Sequence, residues 1–464
     1  MAIQTEKAET SKLTPGSTLS PARMFFSKGG PGEPLGFLLS AAKEYGPVVG
    51  FRYLNRSSIL LDHPDHIRHV LRANNRNYVK SKNYEPVKLV VGKGLLASEG
   101  DFWRRQRRLV QPAFHRRRIA GLASLMVAET EGMLERWTSL PYGRGEPFDV
   151  HKEMTRLTLT IVSKALFGAD VEGKVGRISA AQAFLNGYVD SRIGALPRLP
   201  HWVPTPKNAR YRRAMADLDG VVYSLIDERR KHSRDKGDLI SMLLEARDEE
   251  TGEGMGEKQL RDEVMTLLIA GNETTAVVLS WAWWLLGKHP EAEAKLHGEL
   301  DEVLSGRAPT FEDLPKLSYT RMLLQEAMRL YPPGWIVSRR NLKDDEIGSY
   351  RVPAGTTVLI SPYITHRNPD HWERPEVFDP ERFSSERSAD RPEFAYLPFG
   401  GGPRKCIGEH FAMTEGVLIM ATVAKRYSLG LVPGHPVTPE PLVTLRPKRG
   451  ILVILRERNR RFPC

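Results

Sequence analysis

A mainly α-helical protein with a small β region is predicted by three features of this sequence. Apolar runs of strand length are few and short, at Val48–Tyr53, 58–62, Thr357–Ile360 and 451–455. The first two lie close enough to pair directly, and the others can join them or form a neighbouring sheet. Most of the remaining chain alternates helical patterns with punctuation such as His289-Pro290 and Tyr331-Pro-Pro-Gly334. One long apolar segment, 264–286, is broken by the polar island Asn272-Glu-Thr-Thr275. With 464 residues and no internal repeat, the chain can hold one large domain with a deep interior, expected over 21–464.

Taken in order, residues 1–20 are polar and lack the apolar stretch of a signal peptide or anchor. They predict a flexible tail on a cytoplasmic protein. In 94–114 (GLLASEGDFWRRQRRLVQPAF), Trp103 and Arg107 are four apart and share one helical face. Arg104, Arg105 and Arg108 then form a solvated basic face. Segments 233–237 (SRDKG) and 382–391 (RFSSERSADR) read as solvated loops. Segment 264–286 could cross a bilayer by length, since about 20 apolar residues suffice. Glu273 at its centre would be costly in lipid, and the charged flanks favour a long helix through a protein core. Gly271 costs about 1 kcal/mol there relative to alanine, and its missing Cβ would leave room for a small molecule beside the helix.

Glu326 and Arg329 are spaced i, i+3 on a helix that Pro332 and Pro333 end. Leu323, Leu324, Ala327 and Met328 around them bury one side of the pair, which then needs a further partner; Arg382 offers one. Further on, the loop 399–408 (FGGGPRKCIG) places Cys406 just before a helix predicted from Ile407 onward. Unsatisfied N–H groups, the helix dipole and the neighbouring Arg404 all favour thiolate over thiol. The three glycines allow close approach to a flat partner.

Charge and cysteine content narrow the class. Lys and Arg total 68 against 56 Asp and Glu, a net charge of +12. That balance suits nucleic acid, an anionic membrane or an acidic protein, but no zinc-finger or RNA-binding motif accompanies it. Two cysteines exclude a disulfide framework. The second, Cys464, is terminal and takes no role.

The pattern F-x-x-G-x-R-x-C-x-G is complete in Phe399, Gly402, Arg404, Cys406 and Gly408. It resembles the haem-binding loop of the cytochrome P-450 family. The resemblance extends to the oxygen-activation motif in Ala270, Gly271, Glu273 and Thr274, the E-x-x-R pair Glu326 and Arg329 with Arg382, and the W-x-x-x-R pair Trp103 and Arg107. It implies the cytochrome P-450 fold, with haem b (iron protoporphyrin IX) between the long central helix and the cysteine-loop helix. Cys406 is then the axial thiolate, which favours O–O cleavage. Trp103, Arg107, Arg404 and Arg339 bind propionates, and Phe399 and Gly408 shape the loop. Thr274 holds bound O2 by a hydrogen bond, and Glu273 relays protons. Glu326, Arg329 and Arg382 form a structural triad. Leu89, Val90, Leu95, Leu267, Ala270, Gly271, Trp335, Ile336 and Val337 line an apolar substrate pocket.

The implied activity is monooxygenation, by hydroxylation or epoxidation, of a hydrophobic small molecule such as a fatty acid, terpenoid, steroid or polyketide. Electrons come ultimately from NAD(P)H through a separate ferredoxin or flavodoxin with its reductase, because little chain follows Cys406. Peroxide-driven or isomerase-type relatives rank lower, since the acid–threonine pair is intact, and a non-catalytic basic binding protein ranks lowest. A monomer without nucleic acid or membrane anchor is expected.

Overall fold

The structure, a computed structural model, describes residues 34–53, 56–168, 172–193, 200–231, 238–247 and 252–458. The tail 1–20, the loop 233–237 and Cys464 lie outside them. The chain divides into two compact units, one drawing on residues up to Lys82 with Ile336–Pro375 and Arg391–Lys405. The other draws on Asn83–Trp335, Glu376–Asp390 and the chain from Cys406 onward.

The first unit is built on the predicted strands. Strands β1 (Val48–Tyr53), β2 (Arg56–Leu61), β3 (Tyr78–Lys80), β4 (Val337–Asn341), β5 (Asp345–Ile347), β6 (Tyr350–Val352) and β7 (Thr357–Ile360) occur in that order. One sheet runs β1-β2-β7-β4-β3, and β5 and β6 form a separate hairpin. β1 and β2 pair antiparallel with Val48 opposite Leu61, and β2 lies parallel to β7 with Ile59 opposite Val358. Alternate residues Ile59, Leu61, Val358 and Ile360 are buried with Ile67, Val70 and Leu71, and Val49 and Leu60 on the other face are buried as well. The cysteine-loop glycines belong to this packing. Gly402 has φ +66°, and a Cβ on it would overlap the Leu71 carbonyl; one on Gly401 would overlap the Phe394 ring. Two of the three loop glycines thus let the loop pack closely on its own unit, while Gly400 faces open space.

The second unit is helical: α1 (Glu85–Val91), α2 (Gly100–Val110), α3 (Arg116–Ser139), α4 (Val150–Phe167), α5 (Val175–Asp190), α6 (Pro206–Lys231), α7 (Glu257–Lys288), α8 (Pro290–Leu304), α9 (Ser318–Leu330) and α10 (Glu409–Ala424). Helix α7 is its axis and packs on α4, α6, α9 and α10. It is the one described helix long and apolar enough to cross a membrane, yet 67% of its most apolar window is buried inside the protein; it is a core helix. Strands β8 (Tyr427–Leu431), β9 (Pro439–Pro441), β10 (Leu445–Pro447) and β11 (Leu452–Glu457) follow α10. β11 pairs with β8 and with Phe148–Asp149, so the apolar run 451–455 joins this sheet.

Segment 382–391 is not simply a solvated loop. Short helical turns occupy Pro380–Phe383 and Ser385–Ser388, and Arg382 is buried.

Candidate active site

Cys406 is exposed and precedes α10, whose first residue is Glu409 and whose N-cap is Gly408. The helix thus begins two residues later than predicted. The thiol nevertheless stays over its start: a Cβ on Gly408 would lie 3.9 Å from Cys406 Sγ and 3.8 Å from the Phe114 ring. Gly408, as N-cap, gives the helix start no side-chain cap, leaving its N–H groups open to an acceptor. Trp103 and Arg107 are half-buried one turn apart on α2. Burial pulls the Arg107 pKa below the usual arginine range, and the nearby charge of Cys406 pulls it back up. A negative charge on the sulfur would therefore favour the Arg107 cation.

Of the other three basic residues on α2, Arg104 pairs with Asp101. Arg105 is not part of a solvated face. Its guanidinium is 3.6 Å from the Glu253 carboxylate and donates to the Glu253 carbonyl at 3.1 Å. Arg108 is exposed.

In the first unit, Phe399 and Arg404 are half-buried. Arg339 is buried on β4, donates to the Ser338 carbonyl at 3.0 Å, and meets no carboxylate among the described residues. A buried guanidinium without an acid is what binding a carboxylate-bearing group requires. Arg339 in the first unit thus fits a carboxylate-bearing group, and the exposed Cys406 with Arg107 belongs to the second.

Along α7, Ala270, Gly271, Thr274 and Val278 are half-exposed between buried neighbours, a stripe at helical spacing. Thr274 Oγ1 donates to the Ala270 carbonyl at 2.7 Å, the back-bond that loosens a helix. Gly271 has a reason other than ligand space. Its Cβ would stand 2.8 Å from Val162 Cγ2, so the glycine lets α4 and α7 approach.

Glu273 points elsewhere than Thr274. Its buried carboxylate accepts from Gln182 Nε2 at 3.1 Å, from Asn186 Nδ2, and from Thr444 Oγ1 at 2.6 Å. Asn272 ties the same layer together, donating to Gln182 Oε1 at 3.0 Å and accepting from Thr158 at 2.8 Å. A cleft of about 520 Å³ reaches this carboxylate, with Lys152, Lys448 and Arg449 among its exposed lining. His151 also lines it and shares a 3.0 Å hydrogen bond with Ser280. Burial lowers the His151 pKa, against the pull of Asp149 and Glu273.

Behind these groups, Arg329 grips Glu326 with two hydrogen bonds of 2.6 and 2.7 Å, and Arg382 adds one of 3.3 Å. The Asp379 amide donates to the same carboxylate at 2.9 Å. Sequence reasoning missed Glu415 on α10, whose carboxyl burial pushes up to about 8, with Thr275 pulling the other way. The glutamate nine residues after Cys406 was visible, but not its depth.

Among the expected pocket residues, Val90, Leu95, Leu267 and Trp335 are buried, and Leu89 and Ala270 half-buried, all in the second unit. The Trp335 indole is tied to the Leu442 carbonyl at 2.7 Å. Ile336 and Val337 lie in the first unit.

The cytochrome P450 family model matches residues 21–454. Cyclooctatin synthase of Streptomyces melanosporofaciens is 41% identical over 422 residues, covering 89% of each chain. The cyclooctat-9-en-7-ol 5-monooxygenase of the same organism is 39% identical over 403 residues, covering 87% of this chain and 86% of that one. The crystal structure of the cytochrome P450DA heme domain superposes with a TM-score of 0.86 at 27% identity, covering 97% of this chain and 98% of that chain.

Proposed function

This chain belongs to the cytochrome P450 family as a bacterial-type monooxygenase, and from that premise we propose that it hydroxylates or epoxidises an apolar substrate of the terpenoid class. Haem would be held by Cys406 with Trp103, Arg107, Arg339 and Arg404, and would supply the oxygen-activating chemistry. The observation that carries this reading is the exposed Cys406 thiol beside Arg107 at the start of α10.

The remaining roles fall to the chain's own groups. Thr274 stands on the half-exposed stripe of α7, and its hydroxyl, now donated to the Ala270 carbonyl, would supply a hydrogen-bond donor on that face. Glu273 takes protons from water in the cleft and passes them across α7, the neutral donors Gln182, Asn186 and Thr444 holding it in place. Leu89, Val90, Leu95, Leu267 and Ala270 supply apolar surface that orients substrate and excludes water. A relative named for cyclooctat-9-en-7-ol and another named for pentalenene support a substrate of the terpenoid class. Core burial of α7 supports reading it as a core helix and not a membrane span. Electrons arrive from a separate acidic carrier, a ferredoxin or flavodoxin, steered by Arg108 and Lys405.

The test is the spectrum of the reduced CO complex. Wild type and Cys464→Ala should show the red-shifted Soret band of thiolate ligation, and Cys406→Ala should lose it. An unchanged band in Cys406→Ala would refute the proposal.

A further inference from the structure

The first two turns of α7 carry three buried charged side chains that the proposed chemistry does not use. Arg261 is 8% exposed, Asp262 2% and Glu263 0%. Buried carboxylates are costly unless compensated, and these two are compensated by a loop. Asp262 Oδ2 accepts from the Lys93 amide at 2.8 Å, and Glu263 Oε2 accepts from the Leu95 amide at 3.0 Å. Arg261 completes the set. Its Nη1 donates to the Val90 carbonyl at 3.1 Å and to Asp262 Oδ1 at 2.9 Å, while Nε donates to Asp219 on α6 at 2.8 Å.

The loop is shaped for this contact. Gly92 has φ +56°, and a Cβ on it would overlap the Asp262 carboxyl; one on Gly94 would overlap Thr266 Oγ1 and the Asp262 carbonyl. Two glycines therefore let the backbone lie directly on α7, and two acids take up its N–H groups, which need acceptors once buried. Connecting segments ordinarily run over the surface and stay mobile. This one is pinned at alternate residues.

We infer that Arg261, Asp262 and Glu263 form a latch that docks the 92–95 loop on α7 and, by fixing Val90 and Leu95, determines which ligands enter the substrate cavity and how fast they leave. The inference rests on the reading that Val90 and Leu95 wall that cavity. The three are positioning residues: they act on substrate through the loop. The latch also joins α1, which ends in Val91, to α2, which carries Trp103 and Arg107. Movement of the loop is thereby opposed at the helix that bears Thr274.

The test uses the haem-loaded enzyme with Glu263→Ala and Glu263→Gln, since glutamine retains an acceptor for the Leu95 amide. Hydrogen exchange of peptides spanning 90–97 reads the latch without reference to ligand or turnover. Exchange should accelerate about tenfold in Glu263→Ala, the protection of one buried hydrogen bond, and return towards wild type in Glu263→Gln. Stopped-flow release of 4-phenylimidazole, followed by its Soret shift, should accelerate several-fold in the alanine variant, while release of imidazole, too small to meet the wall, stays unchanged. Gly94→Ala, which presses the loop off Thr266 and the Asp262 carbonyl while leaving both carboxylate side chains in the chain, should reproduce both effects. Unchanged exchange in both alanine variants overturns the latch. Faster exchange with unaltered 4-phenylimidazole release overturns the assignment of Val90 and Leu95 to the cavity wall, and the inference with it.

Discussion

Two glutamates buried in the same helical unit are held in opposite ways. Glu326 is 0% exposed and faces two guanidiniums, with the bidentate Arg329 grip closed by Arg382. Glu273 is 8% exposed, and its hydrogen-bond partners are the neutral Gln182, Asn186 and Thr444. The first carboxylate is held by opposite charge, and its removal would leave two buried cations uncompensated. Amides and a hydroxyl hold the second with no charged group among its hydrogen-bond partners, and the 520 Å³ cleft reaches it. Partner chemistry, more than burial, separates a structural acid from one able to carry protons.

The largest expected difference is in stability. Glu326→Ala strands two buried arginines and should cost about 3–5 kcal/mol. Glu273→Ala, which leaves only neutral donors beside a wet cleft, should cost about 1–2 kcal/mol. Urea unfolding of both variants measures the gap, and equal losses would break the comparison.

Glu415 sharpens it as a third case, buried like Glu326 but without a guanidinium. Burial raises its carboxyl from 4.5 to about 8. Between those values the unfolded chain has released its proton while the folded chain keeps it. Folding stability therefore falls as pH climbs from about 4.5 to about 8, then levels. At ~1.4 kcal/mol per pH unit the loss amounts to a few kcal/mol. Glu415→Gln removes the titration and should gain on wild type across that window, with the advantage greatest near pH 8. Parallel pH–stability curves for the two proteins would show that the carboxyl ionises normally.

These contrasts mark what the sequence could reveal. The β1–β2 hairpin and its extension by β7 were legible from short apolar runs, and the cysteine loop from five fixed positions. The Glu326 pair was legible because apolar neighbours implied that it needed a further partner. What stayed hidden depended on a surface distant in the chain. Gly271 suggested ligand space, yet its Cβ would meet Val162 of α4. The Arg105 pairing with Glu253 and the latch at Asp262 and Glu263 likewise join separate segments with no local periodicity to announce them. The α10 start shifted by two residues because Ile407 and Gly408 turn under the cysteine sulfur before the helix begins.

The smallest effects should fall on proton supply, where the Glu273 side of the comparison is most exposed to failure. Glu273→Gln preserves shape and removes the titrating group, so its unfolding free energy should stay within ~1 kcal/mol of wild type. Product formed per NAD(P)H consumed should nevertheless drop several-fold, with the missing electrons recovered as peroxide or water. Thr444→Val is the finer probe. It deletes the 2.6 Å hydroxyl donor to Glu273 Oε1 while leaving the acid, the cleft and every α7 residue in place. A carboxylate that has lost one of three donors is less firmly oriented, so coupling should fall by less than in Glu273→Gln, about twofold, the scale of a fraction of a kcal/mol. Glu326 offers the control: weakening its shell with Arg382→Lys should lower stability and leave the product ratio unchanged. If Thr444→Val left coupling untouched while Arg382→Lys altered it, the proton path would have to run behind the haem site, and the roles given to the two glutamates would be reversed.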